Sequence, residues 1–167
     1  MQRETSQVTQ KGWHVAQWPP LAWLETVIKL AAIVVGVIAL TGALSDGTWA
    51  WPGGWRLAQL GVLAFLALGL LVAILDRLAE REVVAMAFVI LNNLGHWGMV
   101  AALASAPGPG GWLSIFAGLM LAGDLVKLVF LKVHQFSVRD TPRATLYGLT
   151  LIYVVGYGVI LLLELAR

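Results

Sequence analysis

Residues 21–44 read LAWLETVIKLAAIVVGVIALTGAL, and Glu25 and Lys29 are the only charged residues among them. A helix needs about 20 consecutive apolar residues to cross the ~30 Å hydrocarbon core of a membrane. Pro19 and Pro20 precede this run, and proline fits the first turn of a helix because its missing N–H is not needed there. The stretch therefore predicts a transmembrane helix that begins after the prolines.

Four further runs of similar length and character follow, at residues 56–75, 83–104, 112–133 and 143–165. A tryptophan-rich turn, a charged hinge over 76–82, a proline- and glycine-rich turn over 106–111 and a polar loop separate them. Strands of a membrane barrel would alternate apolar and polar residues, which these runs do not. We expect an all-α bundle of five transmembrane helices in a single membrane domain, residues 1–167, with a polar arm at 1–18.

Composition supports the same class. Hydrophobic residues make up 59% of the chain and charged residues 12%, whereas a soluble domain carries about 25% charged residues. A chain this short has too little interior to bury so much apolar surface. The net charge of +2 is too small to indicate a nucleic-acid partner, and the lack of cysteine excludes disulfides and thiol chemistry.

Lysine and arginine beside the spans predict the orientation, because they concentrate on the cytoplasmic side. One side carries seven of them, at Arg3, Lys11, Arg77, Arg81, Lys132, Arg139 and Arg143. The other side has only Arg56 and Arg167. We expect a cytoplasmic N-terminus, an external C-terminus and a multi-pass location in the inner (plasma) membrane of the cell. The N-terminal arm lacks a cleavable signal pattern, so the first span is expected to remain as an anchor.

Ionisable residues inside spans are costly in lipid and therefore mark function or structural pairing. Glu25 and Lys29 are one turn apart in span one, and Asp124 and Lys127 are one turn apart in span four, at similar predicted depth. If spans one and four touch, we expect Lys29 to meet Asp124 and Glu25 to meet Lys127. The candidate transport or binding residues are Glu25, Lys29, Asn92, Asn93, His96, Asp124 and Lys127, with Tyr153 and Tyr157 secondary.

Each candidate also has a structural interpretation. Glu25 and Lys29 can form an interfacial pair in which Lys29 extends to the headgroups, and Asp124 with Lys127 can form a purely structural ion pair. Asn92 and Asn93 can join helices by hydrogen bonds, His96 can be a packing histidine, and the tyrosines can be core packing. Small-residue pairs such as Ala32 with Gly36, Gly69 with Ala73 and Gly118 with Ala122 can hold a bundle without charges. Span two shows no comparable polar residue, so we expect it at the periphery or at an oligomer contact.

In tryptophan content, mass and number of spans, the chain superficially resembles the translocator (TspO) family. The segment Trp18-Pro19-Pro20-Leu21-Ala22-Trp23 precedes the first span, however, whereas the family's tryptophan- and proline-rich motif follows it. No residue or activity is carried over from this resemblance.

No nucleotide-binding, hydrolase or zinc-protease motif is present, and only one of the three histidines lies in a span. We expect no cofactor and no metal. The leading hypothesis is a transporter or channel subunit that moves an ion or small polar solute through a polar layer of spans one, three and four. The alternative is a non-catalytic accessory, assembly or lipid-binding subunit of a larger complex, and a lipid-directed enzyme ranks third. The expected partners are the lipid bilayer and either further copies of the chain or other membrane subunits.

Overall fold

The structure, a computed structural model, describes residues 18–45, 47–79, 83–134 and 142–166. Two two-residue strands, β1 (Thr48–Trp49) and β2 (Ser105–Ala106), accompany five long helices. The helices are α1 (Pro20–Ser45), α2 (Trp55–Ala79), α3 (Val83–Leu103), α4 (Trp112–Val133) and α5 (Arg143–Leu165). Each contains a segment long and apolar enough to cross a membrane, which confirms the prediction of an all-α chain with five candidate spans.

Some helix boundaries differ from the predicted ones, because a helix can continue beyond the end of its apolar segment. The apolar segment of α2 ends at Ile74, but the helix continues to Ala79, so the charged segment predicted as a hinge begins as helix. Arginine, leucine and alanine are good helix formers, and leaving the hydrocarbon does not break their backbone hydrogen bonds. At the start of α5, Pro142 is the N-cap and Arg143 is the first helical residue, while the predicted cap Thr141 lies outside the described residues.

The two strands join the loop after α1 to the loop after α3. They pair antiparallel, with Thr48 opposite Ala106 and Trp49 opposite Ser105. Both loops therefore lie at the same end of the bundle, here called the far side, and the near side is the end at which α1, α3 and α5 begin. The sequence analysis did not predict this small bridge, because two residues are too few to show a strand pattern.

The five helices form a closed ring in the order α1, α3, α2, α5, α4. Helix α1 thus touches both α3 and α4, as the predicted pairing of charges required. In the most apolar segments of α2 and α5, 22% of the residues are buried, compared with 39% in each of the other three helices. Span two is therefore less buried than α1, α3 and α4, as its expected peripheral position implies. Helix α2 nevertheless packs against both α3 and α5 as a member of the ring.

Helices α1 and α3 cross with their backbones in contact. A Cβ atom on Gly36 would lie 2.2 Å from the carbonyl oxygen of Gly95, and one on Gly98 would lie 2.3 Å from that of Gly36. Ala32 is fully buried beside this crossing, as expected for a small-residue pair with Gly36. Gly118 has no neighbour within 4 Å of its added Cβ, so the predicted contact at that position is wrong.

Candidate functional site

Three charged side chains meet between α1 and α4. The Lys29 ammonium lies 2.7 Å from Asp124 Oδ1 and 2.8 Å from Glu25 Oε1. The side chains of Lys29 and Asp124 are 7% and 6% exposed, and that of Glu25 is 15% exposed. The predicted pair between Lys29 and Asp124 is therefore confirmed, and one ammonium is held by two carboxylates.

The position of this charge cluster follows from helix geometry. Lys29 is nine residues after the first residue of α1, and Asp124 is nine residues before the last residue of α4, so both lie ~14 Å from the near-side helix ends. That depth is about half of a ~30 Å hydrocarbon core. The ammonium and its two carboxylates thus satisfy one another where lipid offers no hydrogen bonds.

Gly123 makes the close approach of Lys29 to α4 possible. A Cβ atom at this position would lie 2.9 Å from Lys29 Cγ and 3.2 Å from Lys29 Cε. The lysine stem therefore lies directly against the backbone of α4, one residue before Asp124. A larger residue at position 123 would displace the stem and lengthen the ion pair.

Glu25 and Lys127 lie one turn closer to the near side than Lys29 and Asp124. The Glu25 carboxylate binds Lys29 of its own helix, one turn away. Lys127 is half-buried on α4, one turn closer to the near side than Asp124. Contact between Glu25 and Lys127 stays a prediction.

A second polar cluster lies in the centre of the ring and is built around His96. The Nδ1 atom of His96 is 2.8 Å from the backbone oxygen of Asn92, and the Nε2 atom is 2.6 Å from the Tyr157 hydroxyl. A carbonyl only accepts, so Nδ1 carries the proton in the neutral ring, and Tyr157 donates to Nε2. His96 is fully buried, with the Phe116 ring edge-on at 5.1 Å.

The two clusters lie at similar heights in the bundle. Lys29, Asn92 and Tyr153 are nine, nine and ten residues after the first residues of α1, α3 and α5, and Asp124 is nine residues before the last residue of α4. Tyr153 and Tyr157 are one turn apart on α5, with ring centroids 6.2 Å apart. The predicted candidates from helices α1, α3, α4 and α5 therefore converge in one layer of the bundle.

Asn93 on α3 and Tyr153 on α5 both form hydrogen bonds with helix α2. Asn93 donates a hydrogen bond of 2.8 Å to the backbone oxygen of Ala67, and Tyr153 donates one of 3.1 Å to that of Leu66. These contacts support the structural interpretation for Asn93 and Tyr153. Asn92 is 7% exposed, and its buried side-chain oxygen has no hydrogen-bond partner among the described residues.

The sequence analysis missed Gln59. This residue is fully buried in α2, and its amide nitrogen donates to the backbone oxygen of Ile160 at 3.1 Å and to the Glu164 carboxylate at 3.0 Å. Its own oxygen has no hydrogen-bond partner in the part of the chain that the structure describes. The expectation that span two has no polar interior residue is therefore wrong, and a glutamine amid leucines was the signal that could have found it.

Apolar side chains fill the bundle between the His96 cluster and the far side. The buried members include Ala39, Ala43, Leu63, Met99, Ala102, Leu103 and Leu113. Two cavities occur elsewhere: a groove between α2 and α5, and a pocket of about 300 Å³ below the strand bridge. Neither of these two is lined by Lys29, Asp124 or Asn92.

The two clusters contain carboxylates, an ammonium, an imidazole and phenols, which are the types of side chain that take part in proton transfer in proteins. Among the described residues, no group of three or more metal-ligating His, Asp or Glu side chains forms a metal site.

Comparison with protein-family models, curated proteins and solved structures finds no match for this chain.

Proposed function

We propose that the protein is a small membrane transporter or channel subunit that moves a proton or a small cation by way of the Lys29–Asp124 pair. The observation that carries this proposal is an ammonium held by two carboxylates inside the apolar helices, with Lys29 and Asp124 each nine residues from a near-side helix end. Small-residue contacts at Gly36 and Gly95 already join α1 to α3, so charges are not needed merely to build a bundle. Charged residues at this depth usually belong to ion or proton pathways.

The cluster couples the charge on Asp124 to helix packing. The bond from Lys29 to Asp124 joins α1 to α4, whereas the bond from Lys29 to Glu25 lies within α1. A proton or cation that neutralises Asp124 leaves Lys29 paired with Glu25 and removes the bond between helices. Ion binding and separation of α1 from α4 are then one event, which is the requirement for gated transport.

The structure corresponds to the closed state in this proposal. The charged layer occupies the near half of the bundle, and the apolar far half blocks a path to the other side. From the positive-inside pattern we infer that the near side faces the cytoplasm and that the membrane is the inner (plasma) membrane. Several copies in an oligomer would give a wider path than one five-helix ring encloses.

Proteoliposome flux tests the proposal. The purified chain is reconstituted with a proton-, sodium- or potassium-sensitive dye inside, and the gradient of the matching cation is applied. We expect flux from wild type, and at least a tenfold loss in Asp124→Asn and Lys29→Gln. Lys132→Gln is the matched control, because Lys132 is exposed in the last turn of α4. Absence of flux from wild type for all three cations would overturn the proposal.

A specific observation favours a second candidate, an accessory subunit without transport activity. The charges of the cluster satisfy one another, and neither of the two described cavities reaches them. In this role the pair only fixes α1 against α4. The flux assay separates the two: an accessory subunit gives no flux, while its Asp124→Asn variant loses stability.

A further inference from the structure

His96 is hydrogen-bonded at both of its ring nitrogens. Its Nδ1–H donates to the backbone oxygen of Asn92 at 2.8 Å, and its Nε2 accepts from the Tyr157 hydroxyl at 2.6 Å. Because Nδ1 already carries a proton, Nε2 is the basic atom of the neutral ring. His96 and Tyr157 are both buried. A further proton that reaches Nε2 therefore has to pass through the Tyr157 hydroxyl.

This pair lies about one helical turn farther into the bundle than the Lys29–Asp124 pair. His96 and Tyr157 are thirteen and fourteen residues after the first residues of α3 and α5, compared with nine residues for Lys29 in α1. At about 1.5 Å per residue the difference in height is ~6–8 Å. Proton transfer between side chains needs direct hydrogen-bond contact or one bridging water molecule. Transfer from Asp124 to the pair therefore needs a bridge.

Asn92 lies at the position where such a bridge is needed. It is on the same face of α3 as His96, one turn closer to the near side, and therefore at the height of Lys29 in α1. Its buried side-chain oxygen accepts no hydrogen bond from any described residue. A buried acceptor without a donor is unfavourable, and a water molecule is the smallest donor that can satisfy it. The Asn92 oxygen is thus suited to hold a water molecule between Asp124 and Tyr157.

The groups beyond Asp124 favour a proton over a metal cation. They are an amide oxygen, a phenol and an imidazole, and the last two can accept and donate protons. A metal cation that leaves water needs several oxygen ligands to replace its hydration shell. In the described ranges, no group of three or more His, Asp or Glu side chains offers such a set, and the Phe116 ring packs edge-on against His96 at 5.1 Å.

We propose that the transported cation is a proton, which moves from Asp124 to His96 through a water molecule held by Asn92 and through the Tyr157 hydroxyl. The proposal rests on the proposed function, and it specifies the substrate and the residues that act after Asp124.

The transfer conserves one proton along a chain of hydrogen bonds. The O–H bond of protonated Asp124 breaks, and its proton joins the water molecule, which gives one of its own protons to the Tyr157 oxygen. The original hydroxyl proton of Tyr157 moves to His96 Nε2. Asp124 is then a carboxylate again, and His96 is an imidazolium. The restored carboxylate pairs with Lys29, so passing the proton inward also rejoins α1 to α4.

The cation selectivity of the wild-type protein is the first test, and it needs no variant. Separate proton, sodium and potassium gradients are applied to the proteoliposomes, each with its matching dye. We expect proton flux, with sodium and potassium flux no greater than in protein-free liposomes. Sodium or potassium flux that is lost in Asp124→Asn would overturn this proposal and leave the proposed function intact. Absence of all three fluxes would overturn both.

His96→Gln and Tyr157→Phe test the relay. Each variant keeps a side chain of similar size, but glutamine does not take up the proton and phenylalanine has no hydroxyl to pass it on. The matched controls are His134→Gln at the exposed C-cap of α4 and Tyr147→Phe, one turn after the start of α5. We expect proton flux to fall about a hundredfold in the two relay variants and to stay at the wild-type level in the controls.

Thermal unfolding of each variant, followed by tryptophan fluorescence, checks that the fold is intact. Proton flux that persists in folded His96→Gln and Tyr157→Phe, while Asp124→Asn is inactive, would show that the proton leaves Asp124 by another route and would overturn the relay.

Asn92→Leu tests the water site with a measurement that a purely structural role would not change. Infrared spectra of wild type and variant are recorded in ordinary and in oxygen-18 water, because the O–H stretching band of a bound water molecule shifts with the oxygen isotope. We expect one such band to be present in wild type and absent from Asn92→Leu, together with a reduced proton flux. Identical bands in the two proteins would overturn the water-mediated step.

Discussion

The near and far halves of the bundle solve the same packing problem with different chemistry. In the near half, Lys29 is held by Asp124 and Glu25, and the charges cross from α1 to α4. In the far half, buried alanine, leucine and methionine side chains fill the core, and the polar pair of Gln59 and Glu164 lies only at the end. Burying charges has a desolvation cost that an apolar core avoids, so packing alone does not explain the charged residues of the near half. This contrast is why the proposed ion pathway begins on the near side and stops at the centre.

Lys29→Met should give the largest loss of stability, because it leaves two carboxylates without their shared ammonium. Removing one partner of a buried ion pair costs about 3–5 kcal/mol of unfolding free energy. Denaturant unfolding in detergent, monitored by tryptophan fluorescence, measures the loss, with Lys132→Met as the surface control.

The double variant Lys29→Met with Asp124→Leu sharpens the contrast between the halves, since it gives the near half an apolar core like that of the far half. Replacing a buried pair by apolar residues is often neutral or stabilising by about 1–4 kcal/mol. We expect stability to return and cation flux to stay absent. If flux persisted in this double variant, the cluster would be structural and the near half would not differ in function from the far half.

Tyr157→Phe should have an intermediate effect at the boundary between the halves. It removes the hydroxyl that donates to His96 Nε2 at 2.6 Å and leaves a fully buried ring nitrogen without a partner. Interhelical hydrogen bonds in membrane proteins contribute about 0.6 kcal/mol on average and up to about 1.7 kcal/mol. We expect a loss near the upper end, measured by the same unfolding assay. A loss of unfolding free energy above about 3 kcal/mol is typical of a broken buried ion pair, and it would show that His96 acts as a charged member of the Lys29–Asp124 cluster.

Gln59→Leu should have the smallest effect. The substitution removes an amide whose oxygen is buried and unpartnered, which offsets the loss of its two donated hydrogen bonds. Glu164 is half-buried near the far-side helix end, where water can replace the lost donor. The expected change in unfolding free energy is within about 1 kcal/mol of zero. A cost as large as that of Lys29→Met would show that the far half also depends on its polar pair.

The pairing of Lys29 with Asp124 could be anticipated from their similar depth in the two helices, provided that the helices touch. Lys29 and Asp124 lie at the same level of antiparallel helices, so contact between α1 and α4 was sufficient to bring them together. The bond between Glu25 and Lys29 followed from their i,i+4 spacing, whereas contact between Glu25 and Lys127 stays a prediction. Gln59 was missed because its partners Ile160 and Glu164 are more than a hundred residues away in sequence.

The sequence by itself determined the number and class of the helices, because an apolar run and the proline and glycine residues around it are local properties. It also determined which residues could share a helical face, since that depends only on the 3.6-residue period. Only the tertiary structure decided the ring order, the cross-ring bond from His96 to Tyr157 and the groove between α2 and α5. The period of a helix assigns residues to faces, but which faces meet depends on contacts between segments far apart in the chain.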